Sequence, residues 1–302
     1  MDKKYLSHPY FLLILVSLIW GFNFSVVKVG ILTIGPLAFS FLRFICGAIL
    51  MFFVLCLTER NPWVEIQDLP YFLFLGFLGF GIYQPLWSYG LKLSLASHSA
   101  LILSLSPIVV SLVAFWQKEE LVKGINLLGA VVGFGGVVFL VSQGGGGDYS
   151  PLSVLYGDLL TLGAAISWGL YSYFSKNMVK KYSPLKTSTW SIIWGLVFMF
   201  PVCIRETLTV NRESFTLPLF LSLSYAVVLS SLVAHIIWMR CVREIGAART
   251  VSSQYITQVV GVVAAWIVFG EPLGWQVLLG MAFISLGLWL VHKKPPVEEL
   301  VP

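Results

Sequence analysis

The sequence predicts an all-α integral membrane protein: ten transmembrane helices in two inverted five-helix repeats, with both termini cytoplasmic. Three observations carry that fold class. The 302 residues are 58% hydrophobic and only 11% charged, whereas soluble domains carry about a quarter charged residues. The apolar residues fall into ten runs, most of them near the roughly 20 residues that cross a hydrocarbon core as a helix. Motifs around Trp20 recur around Trp168, and a long fixed period marks duplication of one unit.

Taken in order, the runs lie near 10–32, 36–57, 70–91, 96–116, 124–142, 157–175, 184–203, 218–240, 247–269 and 273–292. The first is too long for a signal-peptide core and no small-residue cleavage site follows it, so it reads as a true span. The sequon Asn23-Phe24-Ser25 lies inside that span and is discarded as a glycosylation site. Helices follow from run length and from the need to satisfy every backbone polar group within lipid. The longest connections, 58–69, 143–156 and 204–217, are too short for a soluble domain. The expected organisation is a first repeat over 1–143, a linker over 144–156 containing Gly144 to Gly147, a second repeat over 157–292 and a tail over 293–302.

The repeat spacing is 148 for Trp20-Gly21 with Trp168-Gly169, Lys28 with Lys176, Pro36 with Pro184 and Gly47 with Gly195. It is 151 for Glu120 with Glu271 and for Gly129 with Gly280. With the N-terminus inside, 14 of the 19 basic residues fall on the cytoplasmic side, the bias expected of membrane proteins. Five spans per half is an odd number, so the halves enter from opposite sides. Inverted repeats around a central site are a transporter architecture.

Several function classes are disfavoured. Cys46, Cys56, Cys203 and Cys241 lie in or beside apolar runs without C-x-x-C spacing, which suits packing rather than metal or redox chemistry. The net charge of +5 is not gathered into a basic groove, so no nucleic-acid partner is expected. No phosphate-binding loop and no H-E-x-x-H motif occur, and the four histidines are scattered in depth. Neither a cofactor nor a metal is expected, and an enzyme or a scaffold is the weaker alternative. The expected partners are a small-molecule substrate and the bilayer, with the chain acting as a monomer or a homodimer.

The Trp-Gly pairs of spans one and six resemble the EamA-type branch of the drug/metabolite transporter superfamily. So do Arg43-Phe44, the small-residue start of span four (Ala96 to Ala100), Glu120, Gly270-Glu271-Pro272, and the Gly129/Gly136 and Gly280/Gly287 patterns. Their order spans about residues 10–292. Lys118-Glu119-Glu120 departs from the usual Gly-Glu pair. The resemblance implies a 5+5 fold in the inner cell membrane and export or exchange of small metabolites, often amino acids. A carrier of drugs or other hydrophobic solutes on the same fold is the alternative.

Polar groups within spans are costly and tend to be functional. Span one offers Trp20 and Asn23, span three Tyr83, Gln84 and Trp87, and span six Trp168, Tyr171 and Ser172. Span eight offers His235 and Trp238, and span nine Gln254, Tyr255 and Gln258. Together they form a candidate substrate cavity with aromatic faces and amide or imidazole groups, suited to a zwitterion with an apolar side chain. Helix–helix hydrogen bonding and interfacial aromatic belts are the structural alternative. At these spacings Gln84 matches His235 and Trp87 matches Trp238, while Asn23 against Tyr171 and Pro107 against Gln258 break the symmetry.

Pro85 and Pro107 are expected hinges, since each removes an N–H within a span. Glu120 and Glu271 are expected structural caps of the helices that follow them, with Pro272 at the first helical position. Lys28 is expected to snorkel to the headgroups. Arg43 suits either a substrate carboxylate or backbone carbonyls. No Asp or Glu lies mid-span and Asp158 falls at a span edge, so His235 is the one expected mid-span titrating group and an uncoupled carrier is expected.

Overall fold

The computed structural model describes residues 8–117, 124–142, 149–251 and 253–291. Glu120, the Gly144–Gly147 stretch and the side chain of Tyr255 lie outside the described residues. Among the described residues apolar helices follow one another, and no strand occurs. Eight are long and apolar enough to cross a membrane: α1 (Pro9–Ile34), α2 (Pro36–Thr58), α3 (Ile66–Leu93), α4 (Ala96–Trp116), α6 (Pro151–Lys181), α7 (Pro184–Leu208), α8 (Leu217–Ile245) and α9 (Arg249–Phe269). The shorter α5 (Gly124–Ser142) and α10 (Trp275–Val291) are equally apolar. Their outward faces are large and greasy, as at Ile49, Phe53, Val131 and Ile267.

Packing pairs α1 with α8 and α9, α6 with α3 and α4, α2 with α7, and α5 with α10. Exchanging the halves maps every one of these pairings onto another or onto itself. Close helix approach rests on the glycine of each Trp-Gly pair. A Cβ on Gly21 would sit 2.5 Å from Val260 Cβ of α9, and one on Gly169 would sit 2.7 Å from Val109 Cβ of α4. Small residues allow such contact where lipid supplies no hydrophobic drive between helices.

Two spans contain wide π turns, over Phe77–Ile82 in α3 and Tyr225–Ala234 in α8. Shifting the first by 151 gives 228–233, inside the second. Another span, α4, is broken between Leu103 and Ser106, and the described pieces of α9 are Ala247–Val251 and Gln254–Phe269. Irregular backbone within a membrane bundle is tolerated where protein or a cavity satisfies it.

Some boundaries differ from expectation. The second half begins its first helix at Pro151 rather than 157, so residues 151–156 of the expected linker are helical. Ser150 caps the helix by accepting from Ser153 N at 3.2 Å, and Pro151 starts it. Pro107 stands at the start of the second piece of α4, where a missing N–H costs little. Pro85 is the third residue after the wide turn of α3. Pro272 is not at the first helical position, because α10 starts at Trp275. Gly270 closes α9 at φ 65°, a left-handed conformation that favours glycine.

Candidate functional site

A space lies between α1, α2, α3, α4, α6, α8 and α9, lined by residues from all seven helices. Of the expected residues, Trp20, Asn23, Tyr83, Gln84, Trp87, Trp168, His235 and Gln254 line it. Phe24, Arg43, Leu103, Ser230 and Thr257 also line it. The Ser230-Ser231 pair inside an otherwise apolar run was a readable signal for part of that set.

The repeat partners Trp20 and Trp168 meet edge to face, with ring centroids 5.5 Å apart. Tyr83 packs on Trp168 at 5.1 Å and stacks on Trp87 at 6.2 Å with an interplanar angle of 11°. His235 lies 5.3 Å from Trp20 and 6.0 Å from Trp168. The side-chain oxygens of Asn23 and Gln84, Nε2 of His235 and Nε1 of Trp87 are buried without a hydrogen-bond partner.

The wide turn of α8 organises one wall. The carbonyl of Ser230 accepts from Trp20 Nε1 at 3.3 Å and from His235 Nδ1 at 2.8 Å. A carbonyl can only accept, so His235 carries its hydrogen on Nδ1. The Ser230 hydroxyl accepts from Arg43 Nη2 at 2.8 Å and the Ser231 hydroxyl from Arg43 Nε at 3.0 Å. Arg43 therefore meets two hydroxyls rather than backbone carbonyls.

Four expected residues do not line the space. Tyr171 supports Trp168 at 5.2 Å and packs on Phe80 at 5.6 Å. Trp238 lies behind both tryptophans, 5.0 Å from Trp20 and 5.8 Å from Trp168. Ser172 is buried nearby. Gln258 ties the break of α4 to α9 and α10, accepting from Ser104 Oγ at 2.8 Å and donating to Ser285 Oγ at 2.8 Å.

The bundle end that holds Gly35 is closed by buried charge. Lys28 is 1% exposed rather than snorkelled, and its Nζ donates to the Ser94 carbonyl at 2.8 Å and to Glu271 at 3.3 Å. The sequence shows no counter-charge beside Lys28; the fold brings one from 243 residues away. Glu271 caps the start of α4 rather than its own following helix, accepting from Ala96 N at 2.8 Å and Ser97 N at 2.9 Å. Asp158, also buried, accepts from Ser94 Oγ and pairs with His98 Nδ1 at 2.9 Å. His235 is therefore not the one buried histidine: His98 is buried too, bonded to Asp158.

Glu206 plays the capping part for α2, accepting from Leu37 N at 2.9 Å and Ala38 N at 3.1 Å. At the opposite end, Lys181 bonds Glu65 at 2.8 Å and Asp68 at 2.6 Å, and Tyr182 donates to Asp68. Lys181 and then Gln67 hold the exposed Glu65 carboxyl below its ordinary range. Burial, and then its bond to Asp68, push the Tyr182 hydroxyl up.

Residues 8–142 and 155–292 each match the model of the EamA-like transporter family. The chain is 25% identical over 281 residues to the uncharacterized transporter YoaV of Bacillus subtilis, covering 92% of this chain and 94% of the relative. It is 26% identical over 294 residues to a probable amino-acid metabolite efflux pump of Salmonella typhimurium, covering 93% of each. It is 24% identical over 290 residues to a probable terminal-alkyne amino-acid exporter of Streptantibioticus cattleyicolor, covering 96% and 95%. A solved protein crystal structure superposes with a TM-score of 0.59 at 16% identity, over 93% of this chain and 96% of that one.

Proposed function

The chain belongs to the EamA-like transporter family, and on that premise we propose that it is a secondary transporter exporting or exchanging amino acids or related small metabolites. The two halves are inverted repeats with both termini cytoplasmic, and the protein resides in the inner cell membrane. The substrate occupies the space between Trp20 and Trp168 and is exposed to each side in turn as the halves exchange conformation. Transport is facilitated or by exchange, without obligatory proton coupling.

One observation carries the reading. A cavity built from both halves presents aromatic faces beside buried amide, imidazole and indole atoms that have no protein partner. Buried polar atoms are nearly always paired, so atoms left over beside a cavity fit recognition of a polar solute. Two relatives named for amino-acid efflux or export add to the substrate class.

The test is counterflow in proteoliposomes loaded with the common amino acids in turn. Exchange of at least one, lost in Trp168→Ala, is the expected result. Failure of every amino acid and related compound to exchange would remove the proposed substrate class.

A further inference from the structure

We infer that Arg43 is the receptor for the substrate's carboxylate and sets the charge class that the carrier accepts; this rests on the transport reading above. Arg43 is 3% exposed and lines the cavity. It is the only residue of the lining with a fixed charge, and no acidic side chain lines that space. Its Nε and Nη2 are held by the neutral hydroxyls of Ser231 and Ser230, and its guanidinium carbon lies 4.8 Å from the centre of the neighbouring Phe44 ring. None of these contacts supplies a negative charge, and no ion pair to Arg43 occurs among the described residues.

A buried guanidinium without a counter-ion is expensive, both in protein interiors and in the bilayer. Other buried charged groups have ionisable partners: Lys28 has Glu271, Lys186 has Glu59, and Asp158 bonds His98. Arg43 alone is left facing the solute space, with its fork steadied by two serines on the wide turn of α8. The serines take the Nε–Nη2 edge, and the Nη1–Nη2 edge that remains is a planar donor pair that matches a carboxylate. The unpartnered side-chain oxygens of Asn23 and Gln84 are acceptors for the donor end of the same solute. The preferred substrate is therefore a carboxylate whose other polar group donates, with its apolar part against Trp20, Tyr83 and Trp168. Amines and other cations lacking an acid group are excluded by repulsion from Arg43.

The experiment uses the full chain in proteoliposomes and a panel built on each common amino acid: the acid, its amide, the amine formed by decarboxylation and the matching 2-oxo acid. Counterflow is read for the wild type, Arg43→Gln and Arg43→Lys, and cavity binding is read from tryptophan fluorescence of the purified protein. The wild type is expected to prefer acids over amides and amines by roughly tenfold or more, the scale of a charge-assisted bond. Arg43→Gln is expected to erase that preference while Arg43→Lys retains part of it. Because the wild-type panel needs no variant, a folding failure of Arg43→Gln leaves the test intact. Amides or amines exchanging as well as acids would overturn the Arg43 assignment and leave the carrier reading standing. Selection of 2-oxo acids together with rejection of amino acids would support Arg43 and overturn the amino-acid reading. Exchange of no compound in the panel would remove both.

Discussion

Removing the carboxylate of Glu271 is expected to be among the most destabilising single changes at the Gly35 end. The side chain is 6% exposed and holds four donors: Ala96 N at 2.8 Å, Ser97 N at 2.9 Å, Ser97 Oγ at 2.6 Å and Lys28 Nζ at 3.3 Å. Glu271→Gln turns one acceptor into a donor facing donors and strands a buried ammonium. Losing one member of a buried ion pair costs about 3–5 kcal/mol. Lys28→Met is milder, because three donors still hold the carboxylate; loss of one hydrogen bond to a charged group costs about 1.5–3 kcal/mol. In the double variant no ammonium is stranded, so its cost should fall below the sum of the singles by about 1–3 kcal/mol, within the range of coupled neighbours. Denaturant unfolding of the four proteins in one detergent, followed by tryptophan fluorescence, measures the cycle. Additivity within about 0.5 kcal/mol, or Lys28→Met proving as costly as Glu271→Gln, would refute the reasoning.

Gly169→Ala places a methyl 2.7 Å from Val109 Cβ and 2.8 Å from the Ser106 carbonyl; overpacking of this kind costs about 1–3 kcal/mol. A lowered melting temperature with reduced exchange is expected, and an unchanged protein would count against close α4–α6 contact. The Lys181–Glu65 contact should matter above the ordinary carboxylate range and vanish in acid. A carboxyl with a depressed folded-state value contributes stability above its unfolded value, and that contribution is lost as pH falls through the folded value. The melting difference between wild type and Lys181→Ala should accordingly shrink with acidification; a pH-independent difference contradicts it. An imposed pH gradient should not drive substrate accumulation in proteoliposomes. Accumulation abolished by His235→Gln would place coupling in the cavity, and accumulation abolished by Asp158→Asn would place it at the His98 pair.

The helical runs and the central residues were legible because transfer from water to lipid dominates a chain this apolar. Trp20, Trp168, Gln84 and His235 stood out as polar or amphipathic groups in runs that otherwise lacked them. The start of α6 was set late because Pro151 and Ser153 read as part of a polar linker, whereas Pro151 opens the helix under the Ser150 cap. Also hidden were Lys28, whose counter-charge arrives from a distant loop, and Glu271, which caps a helix other than its own. Pairings across a fold leave no trace in a one-dimensional pattern. Trp238 and Tyr171 share a face with cavity residues but stand one layer back, a distinction that spacing along a helix cannot make.

The wide turns of α3 and α8 carry one more consequence. An α-helix advances its side chains by about 100° per residue. A π turn takes up an extra residue while the axis continues. Every side chain beyond Ile82 and beyond Ala234 is thereby swung round relative to an unbroken helix started at Leu69 or Leu217. Tyr83, Gln84 and His235 follow directly after these turns, so their bearing is a matter of angular phase as much as of residue type. Each half carries such an offset, over Phe77–Ile82 in α3 and Tyr225–Ala234 in α8. The lining of the central space is thus set like a dial, and a helical wheel drawn from either span's start would aim it at the wrong neighbours.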